Sequence, residues 1–429
     1  MTYSQTLDFL FSQLPAYHRI GKAAYRSDLE NTILLDNYFK NPHFKYPTIH
    51  IAGTNGKGSV AHMIASVLQE AGYKTGLYTS PHLKDFRERI RVNGEMISEN
   101  DVVTFVTRHK NIIESLKPSF FEMTVAMAFN YFAECNVDVA VIEVGLGGRL
   151  DSTNIIKPVL SVITNIGHDH LDLLGDTLEK IAVEKSGIIK KNIPVIISET
   201  QPEIKNVFIR KAEENGSEVL FADEIFSCGL EQNYNPGSGR GYLMTELSTN
   251  HQFEGKTFLE GDYQSKNLQA VFAAFKLLKN IFTVSEENIS EGISNVIINT
   301  GLQGRWQIIG VSPLTICDTG HNREGLEYVM NQIKMVPRSV LHIVIGFVND
   351  KDLGSVLPLF PTDAIYYFTK ASVPRALNEI KLKTEAEKYG LAGESYTDVR
   401  TALYWARKQA NESDLIFIGG STFVVAEVL

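Results

Sequence analysis

Twelve residues, Ile49-His50-Ile51-Ala52-Gly53-Thr54-Asn55-Gly56-Lys57-Gly58-Ser59-Val60, constrain the fold of this chain more than any other stretch. A short apolar run enters a glycine-rich turn. It leaves as a helix whose apolar stripe is Val60, Met63, Ile64, Val67, Leu68 and Ala71. Strand, loop and helix N-terminus in that order turn backbone N–H groups and the positive end of the helix dipole towards phosphate oxygens. Lys57 would reach the terminal phosphates, and the Ser59 hydroxyl would face a magnesium ion. The spacing departs from the general P-loop pattern, because the first glycine falls close to Gly56 and Gly58 is inserted before the hydroxyl residue. The plain alternative is a glycine-rich βα turn with a surface lysine; nucleoside triphosphate binding is the stronger reading.

A length of 429 residues allows two to three domains at roughly 150 residues each. With 44% hydrophobic and 21% charged residues, the chain has core material for an ordinary globular fold. Its net charge of −9 argues against nucleic-acid binding, while leaving room for local basic pockets. Cys135, Cys228 and Cys317 show no metal-ligand spacing and suit a reducing compartment better than a disulfide scaffold. The first residues lack the basic and apolar regions of a signal peptide, and no apolar run is long enough to cross a bilayer. A soluble, cytoplasmic protein with no membrane partner is expected.

Along the chain, residues 1 to about 40 pattern as amphipathic helices interrupted by a loop at Tyr17-His18-Arg19-Ile20-Gly21. Lys74–Thr79 reads as a strand ending in Ser80-Pro81-His82-Leu83, where open α/β sheets bind ligands. Ser80 is equally readable as a turn residue before proline. Arg87–Val92 with Asn93-Gly94 predicts a strand and tight turn, Ser98 a helix cap with Asp101 for a helix to about Leu116, and Phe120–Glu134 a further helix. Val137–Val144 has the unbroken apolar character of a central parallel strand, except for Glu143 near its end. A carboxylate there is costly unless paired or metal-bound, and beside a P-loop it reads as a magnesium ligand. Gly145-Leu146-Gly147-Gly148-Arg149-Leu150-Asp151 follows at the same edge.

Val159–Thr164 predicts another buried strand, with His168, Asp169 and His170 just past it as a candidate metal edge. In the helix capped by Thr177, Lys185 falls on the apolar stripe with Leu178, Ile181 and Ala182. An ammonium there must snorkel, pair with a carboxylate or be modified. Residues 218–262 read as a small antiparallel appendage, followed by helices near Ser265–Lys279 and Ser285–Ile297. From Trp306 onward strands and helices alternate, which implies a second, smaller parallel α/β domain. Its first loop, Asp318-Thr319-Gly320-His321-Asn322, gathers an acid, an imidazole and an amide, more than an Asx turn requires. The expected fold class is α/β: a P-loop-containing, parallel-sheet ATPase domain over residues 1–300 with a small antiparallel appendage. A smaller Rossmann-like α/β domain over residues 301–429 follows.

Together these motifs resemble the folylpolyglutamate synthase and dihydrofolate synthase family of the Mur ligase superfamily. The resemblance is carried in order by Gly53–Ser59, Thr79–Leu83, Phe86–Ile90, Glu143–Asp151, Asp169-His170 with Leu174-Gly175, and Glu184–Ile189. Gly304-Arg305-Trp306, Gly320-His321-Asn322 and Gly419-Gly420-Ser421 continue it. It spans nearly the whole chain, and the departure from the general P-loop spacing is the family's own form. The resemblance implies an ATP-dependent ligase that activates a pteroyl carboxylate as an acyl phosphate and joins it to L-glutamate. By position it implies that Gly53, Thr54, Asn55, Gly56, Lys57, Gly58 and Ser59 hold ATP phosphates. Ser59, Ser80, Glu143, His170 and Lys185 (as a carbamate) would bind one or two Mg2+ ions. Asn267, Arg305, Asp318 and His321 match nucleotide contacts, and Ser80, Pro81, His82, Arg149, Asp151, His321 and Ser421 match substrate positions. Lys57, Glu143, His170, Lys185 and His321 are the implied catalytic set. A monomer is the family expectation. The chain departs from the family at Thr319-Gly320, where Gly-Ala is more usual, and at His168, to which no role is carried.

A bifunctional dihydrofolate and folylpolyglutamate synthase is the leading expectation; an enzyme that only extends folates, or another Mur-type amino-acid ligase, is the enzymatic alternative. A UDP-sugar Mur ligase is disfavoured because the P-loop begins near residue 53, without room for the N-terminal domain that would hold the sugar. A P-loop regulatory protein is the non-enzymatic alternative, but it has no need of Lys185 or of a second domain bearing Asp318 and His321. No guanine-reading Asn-Lys-x-Asp motif is present.

Overall fold

The computed structural model describes residues 1–15 and 28–429. The loop read at Tyr17–Gly21 lies outside the described residues. The chain divides into two compact units. One comprises Met1–Glu231, Gly241–Thr257 and Ser265–Leu302; the other comprises Gln232–Arg240, Phe258–Gln264 and Gln303–Leu429.

The first unit is built on eight strands: β1 (Thr48–Ala52), β2 (Thr75–Tyr78), β3 (Ile90–Val92), β4 (Glu95–Met96), β5 (Val139–Glu143), β6 (Leu160–Ile163), β7 (Val195–Ile197) and β8 (Val219–Phe221). Their spatial order is β4-β3-β2-β5-β1-β6-β7-β8, paired in parallel except for the antiparallel β2–β3 and β3–β4 pairs. Every residue of β1 and β5 is buried, because both strands carry parallel neighbours and helices cover the sheet; hence their apolar runs without alternation. The chain passes from β1 to β2 on one side, and β6 lies on the other. That reversal beside β1 makes the C-terminal edge of β5, β1 and β6 the switch point where open α/β sheets bind ligands. Of the strand expected over Arg87–Val92, only Ile90–Val92 is extended; Arg87–Arg89 belong to a 3-10 turn, Phe86–Arg89, because Asp85 caps it and Glu88 returns the bond. The helix expected from Ser98 to Leu116 breaks at His109 into Glu99–Arg108 and Lys110–Leu116.

The appendage is a three-stranded antiparallel sheet, β9 (Phe226–Leu230), β10 (Arg240–Glu246) and β11 (Gln252–Thr257), in the order β11-β10-β9. The loop joining β9 to β10 groups with the second unit. There the buried Glu260 carboxylate accepts the Gly237 and Gly239 N–H groups at 3.0 and 2.8 Å. Arg240, 2% exposed, lies against Asp262 at 2.6 Å.

The second unit carries six strands: β12 (Gln307–Val311), β13 (Leu314–Cys317), β14 (Leu341–Ile345), β15 (Ile365–Phe368), β16 (Gly393–Ser395) and β17 (Leu415–Gly419). The order is β12-β13-β17-β14-β15-β16, parallel except for β12. Placing β17 between β13 and β14 brings the loops after Cys317 and Gly419 to one edge. Among the described residues, no helix is long and apolar enough to cross a membrane.

Candidate active site

Gly53 leaves β1 at φ 142°, and a Cβ built there would lie 1.8 Å from the Thr164 hydroxyl oxygen. Gly56 opens the helix Lys57–Glu70 at φ 87°, where a Cβ would meet Asn267 Oδ1 at 2.3 Å. Both positions need glycine for backbone and for space. The end of β6 braces the loop. The Thr54 N–H donates to the Asn165 carbonyl (2.8 Å), the Asn55 N–H to Asn165 Oδ1 (2.8 Å) and the Thr164 hydroxyl to the Asn55 carbonyl (2.5 Å). The Gly167 N–H donates to the Thr54 hydroxyl at 2.9 Å. Sequence reading gives Thr164 and Asn165 no role; their signal is a position one strand from the P-loop at the same sheet edge.

Two lysines converge on one carbonyl of this loop. Lys57 Nζ donates to the Gly53 and Thr54 carbonyls at 3.0 Å each, and Lys185 Nζ donates to the Gly53 carbonyl at 2.8 Å. Lys185 is 4% exposed. Burial first, and the Lys57 charge second, pull its pKa from 10.5 down to about 7 against the opposing fields of Asp169 and Asp151. The shift favours the neutral amine, which is the nucleophilic form, relative to an ordinary lysine.

Glu143 closes β5, buried, with Oε2 accepting the Ser80 N–H at 3.1 Å. The pairing of Tyr78 with Ile142 delivers Ser80 to that carboxylate. Pro81 follows through a cis peptide and is exposed, and His82 beyond it is half-buried. Arg89, also buried, donates from Nε to His82 Nδ1 at 2.7 Å, and its guanidinium lies 5.3 Å over the Phe120 ring. Sequence quotes Arg89 inside a motif without a role; its burial is what marks it. Burial lowers its pKa, and the neighbouring Tyr78, Glu143 and Glu88 oppose that shift. His170 adopts a left-handed conformation ahead of the helix Leu171–Leu174, with Nε2 3.8 Å from Asp169 Oδ2.

Among the described residues, no group of three or more His, Cys, Asp or Glu side chains gathers as a metal cage. Magnesium does not need one, because it takes one or two carboxylates and completes its shell with water and phosphate oxygens. The buried Glu143 carboxylate and the Ser59 and Ser80 hydroxyls are hard oxygen donors brought to the same sheet edge, and they fit that ion. An ammonium at Lys185 cannot ligate a cation; a carbamate there could.

Asp151 is occupied by its own loop. Oδ2 accepts the Leu146 N–H at 2.8 Å, and Oδ1 accepts the Thr153 N–H and hydroxyl at 2.9 and 2.5 Å. With that hydroxyl proton committed, His50 Nε2 is the donor to Thr153 Oγ1 at 2.9 Å. Burial and Lys190 lower the His50 pKa to about 3, so the imidazole is neutral. Asp151 is therefore the brace that ties the glycine-rich loop to the centre of β1. Arg149 is half exposed and pairs with Glu184 at 2.8 Å. Asn267, in the helix Gln264–Leu278, is buried against Gly56.

In the second unit, Asp318 follows β13 and is 2% exposed. Its Oδ2 accepts the Tyr263 hydroxyl (2.6 Å) and the Trp306 N–H (2.7 Å), and its Oδ1 accepts the Gly320 N–H (2.7 Å). Burial raises its pKa, and these donors oppose the shift. Tyr263 carries no sequence signal, because it lies far from Asp318 in the chain. Arg305 Nη1 donates to the Thr319 hydroxyl and to the Gly304 carbonyl. His321 Nδ1 donates to the Thr319 carbonyl at 3.0 Å, so in the neutral ring Nε2 is the acceptor. Ser421, after β17, caps the helix Thr422–Ala426 by accepting the Phe423 N–H at 3.2 Å.

Comparison with known proteins agrees with this architecture. The Mur ligase middle domain family matches residues 51–275, and the Mur ligase glutamate ligase domain family matches residues 304–422. The chain is 33% identical over 408 residues to the dihydrofolate synthase/folylpolyglutamate synthase of Bacillus subtilis, covering 90% of this chain and 91% of that protein. It is similar to Escherichia coli FolC solved in complex with DHPP and ADP, with a TM-score of 0.85, 28% identity, and coverage of 100% of this chain and 97% of the other. It is similar also to the bifunctional folylpolyglutamate synthase/dihydrofolate synthase of Yersinia pestis solved with AMPPNP and a Mn ion. There the TM-score is 0.84 at 25% identity, covering 100% and 97% of the two chains. An α/β fold with a P-loop, a neutralisable buried lysine beside it and a glutamate-ligase second domain places this chain in the folylpolyglutamate synthase/dihydrofolate synthase family of Mur-type, ATP-dependent glutamate ligases.

Proposed function

We propose that the protein is bifunctional, joining L-glutamate both to dihydropteroate and to reduced folates or their polyglutamates in folate biosynthesis. The observation that carries this reading is similarity along nine-tenths of both chains to a bifunctional relative. The intact P-loop at Gly53–Ser59 supports it. In the proposed reaction a carboxylate oxygen of the pteroyl substrate attacks the γ-phosphorus of ATP, and ADP leaves. The glutamate amine then attacks the acyl carbon, and phosphate departs from the tetrahedral intermediate with the amine proton passed to a base.

Lys57 and the loop amides hold and align the phosphates, which converts a bimolecular encounter into a positioned one. To reach them Lys57 exchanges the Gly53 and Thr54 carbonyls for phosphate oxygens. When bound, Mg2+ supplies charge neutralisation on the phosphates; Ser59, Ser80, Glu143, His170 and a carbamylated Lys185 would hold it. The pKa of Lys185 supports the carbamate, because only a neutral amine adds carbon dioxide. His82, Arg149 and Ser421 are proposed to shape the acceptor and glutamate sites, with Asp151 bracing the loop that carries Arg149, and Asn267, Arg305, Asp318 and His321 to hold the nucleotide. A protein that acts as a monomer is part of this proposal. So is a division of function between residues 1–300 and 301–429.

The test is phosphate release from Mg-ATP with L-glutamate, comparing dihydropteroate with tetrahydrofolate. Turnover with both is expected. Turnover with tetrahydrofolate alone reduces the reading to polyglutamylation, and stimulation by neither removes the folate assignment.

A further inference from the structure

Thr319 lies in the turn that follows β13, directly after Asp318. It is 7% exposed, and its hydroxyl is fully engaged. The O–H donates to the Gly304 carbonyl at 3.0 Å, while the oxygen accepts an N–H from Arg305 Nη1. The Thr319 backbone N–H also donates to the Gly304 carbonyl, at 3.0 Å, so side chain and main chain grip the same turn. Arg305 Nη1 makes a second bond to that carbonyl at 3.3 Å. One terminal nitrogen of the guanidinium is therefore held by a rigid corner. Among the described residues, the Nε and Nη2 positions of Arg305 make no hydrogen bond or ion pair. That edge of a guanidinium takes an oxyanion in a two-pronged contact.

The corner is itself rigid. Asp318 lies beneath it, joined to the Trp306 N–H, the Gly320 N–H and the Tyr263 hydroxyl, so both chain segments that meet at Thr319 are fixed. Threonine is branched at Cβ and stiff at χ1, which points the hydroxyl without further support.

We propose that Thr319 is a positioning residue whose hydroxyl fixes Arg305 so that its Nε–Nη2 edge meets an oxyanion of the nucleoside triphosphate already oriented. The proposal rests on the reading of the protein as an ATP-dependent ligase. A long arginine side chain loses rotamer freedom when it is fixed against a ligand. A hydroxyl that restrains it beforehand removes part of that cost from nucleotide binding.

The experiment compares Thr319→Val, which keeps the shape and loses the hydroxyl, with Thr319→Ser, which keeps the hydroxyl. Both are made in the full chain and again in an Arg305→Ala background. Calorimetric binding of a non-hydrolysable ATP analogue with Mg2+ is the readout, beside the ATP KM and kcat. Thr319→Val is expected to weaken nucleotide binding about tenfold with a smaller change in kcat, as for loss of one hydrogen bond to a charged group. Thr319→Ser is expected to recover to within about threefold, and the valine to add nothing once Arg305 is gone. Thr319→Gly supplies a second hydroxyl-free variant if the valine does not fold. Binding by both hydroxyl-free variants equal to wild type overturns the proposal, as does an undiminished valine effect in the Arg305→Ala background. Wild-type protein that binds the analogue but makes no glutamate adduct refutes the ligase reading alone; the Thr319 comparison still decides this one.

Discussion

Replacing Lys185 by methionine tests the electrostatics of the site through folding rather than turnover. Folded, the Lys185 amine has a pKa of about 7 against an ordinary 10.5, chiefly through burial and then through Lys57. The folded state therefore binds fewer protons than the unfolded state between those two values. The charged form is the one penalised, so the penalty is fully present below about pH 7 and fades as pH rises towards 10.5. The gap corresponds to roughly 5 kcal/mol, an upper bound because a folded protein relaxes around a buried charge. Methionine fills similar space without the charge. Lys185→Met is expected to be more stable than wild type by about 2–5 kcal/mol at pH 6. Above pH 7 that gain falls by at most about 1.4 kcal/mol per pH unit. Urea unfolding from pH 6 to pH 9 in carbon-dioxide-free buffer at constant ionic strength measures this. A stability difference that does not change with pH, or a wild type more stable at pH 6, refutes the reasoning. At pH 8, above that lowered pKa, the neutral amine is favoured. Added bicarbonate is then expected to stabilise wild type and leave Lys185→Met unchanged.

Gly56→Ala places a Cβ 2.3 Å from Asn267 Oδ1 at φ 87°, adding a left-handed penalty of about 1–2 kcal/mol to a steric clash. Nucleotide affinity is expected to fall more than about tenfold while circular dichroism is retained, and wild-type affinity in calorimetry counts against the loop geometry. Arg89→Lys removes the Nε–H that meets His82 at 2.7 Å and the planar face over Phe120. It is expected to raise the acceptor KM about tenfold and the ATP KM less than about twofold. Equal changes in both constants would show that Arg89 acts on the whole site and not on the acceptor side.

The local pattern of this chain determined its strands, its glycine turns and the anomaly at Lys185. An apolar run, a Gly-rich turn and a charge on an apolar stripe are each visible over a few residues. Glu143 is conspicuous because it ends an otherwise apolar strand, and Ser98 and Thr177 announce helix starts through short-range caps. The extended pattern of Arg87–Val92 holds only from Ile90, because a reciprocal Asp85–Glu88 cap turns Arg87–Arg89 into part of a 3-10 turn. What the tertiary structure decided is which side chains meet. Thr164 and Asn165 brace the P-loop because β6 lies beside β1, and Tyr263 reaches Asp318 across 55 positions of sequence. Asp151 stands out by motif alone, but only the tertiary structure shows that it braces its loop, joined through Thr153 to His50. The physical reason is range. Backbone preference and hydrophobic periodicity act between near neighbours in the chain and leave their record there. Hydrogen bonds, burial and the field of one lysine on another depend on strand order and register, which bring distant residues within a few ångströms.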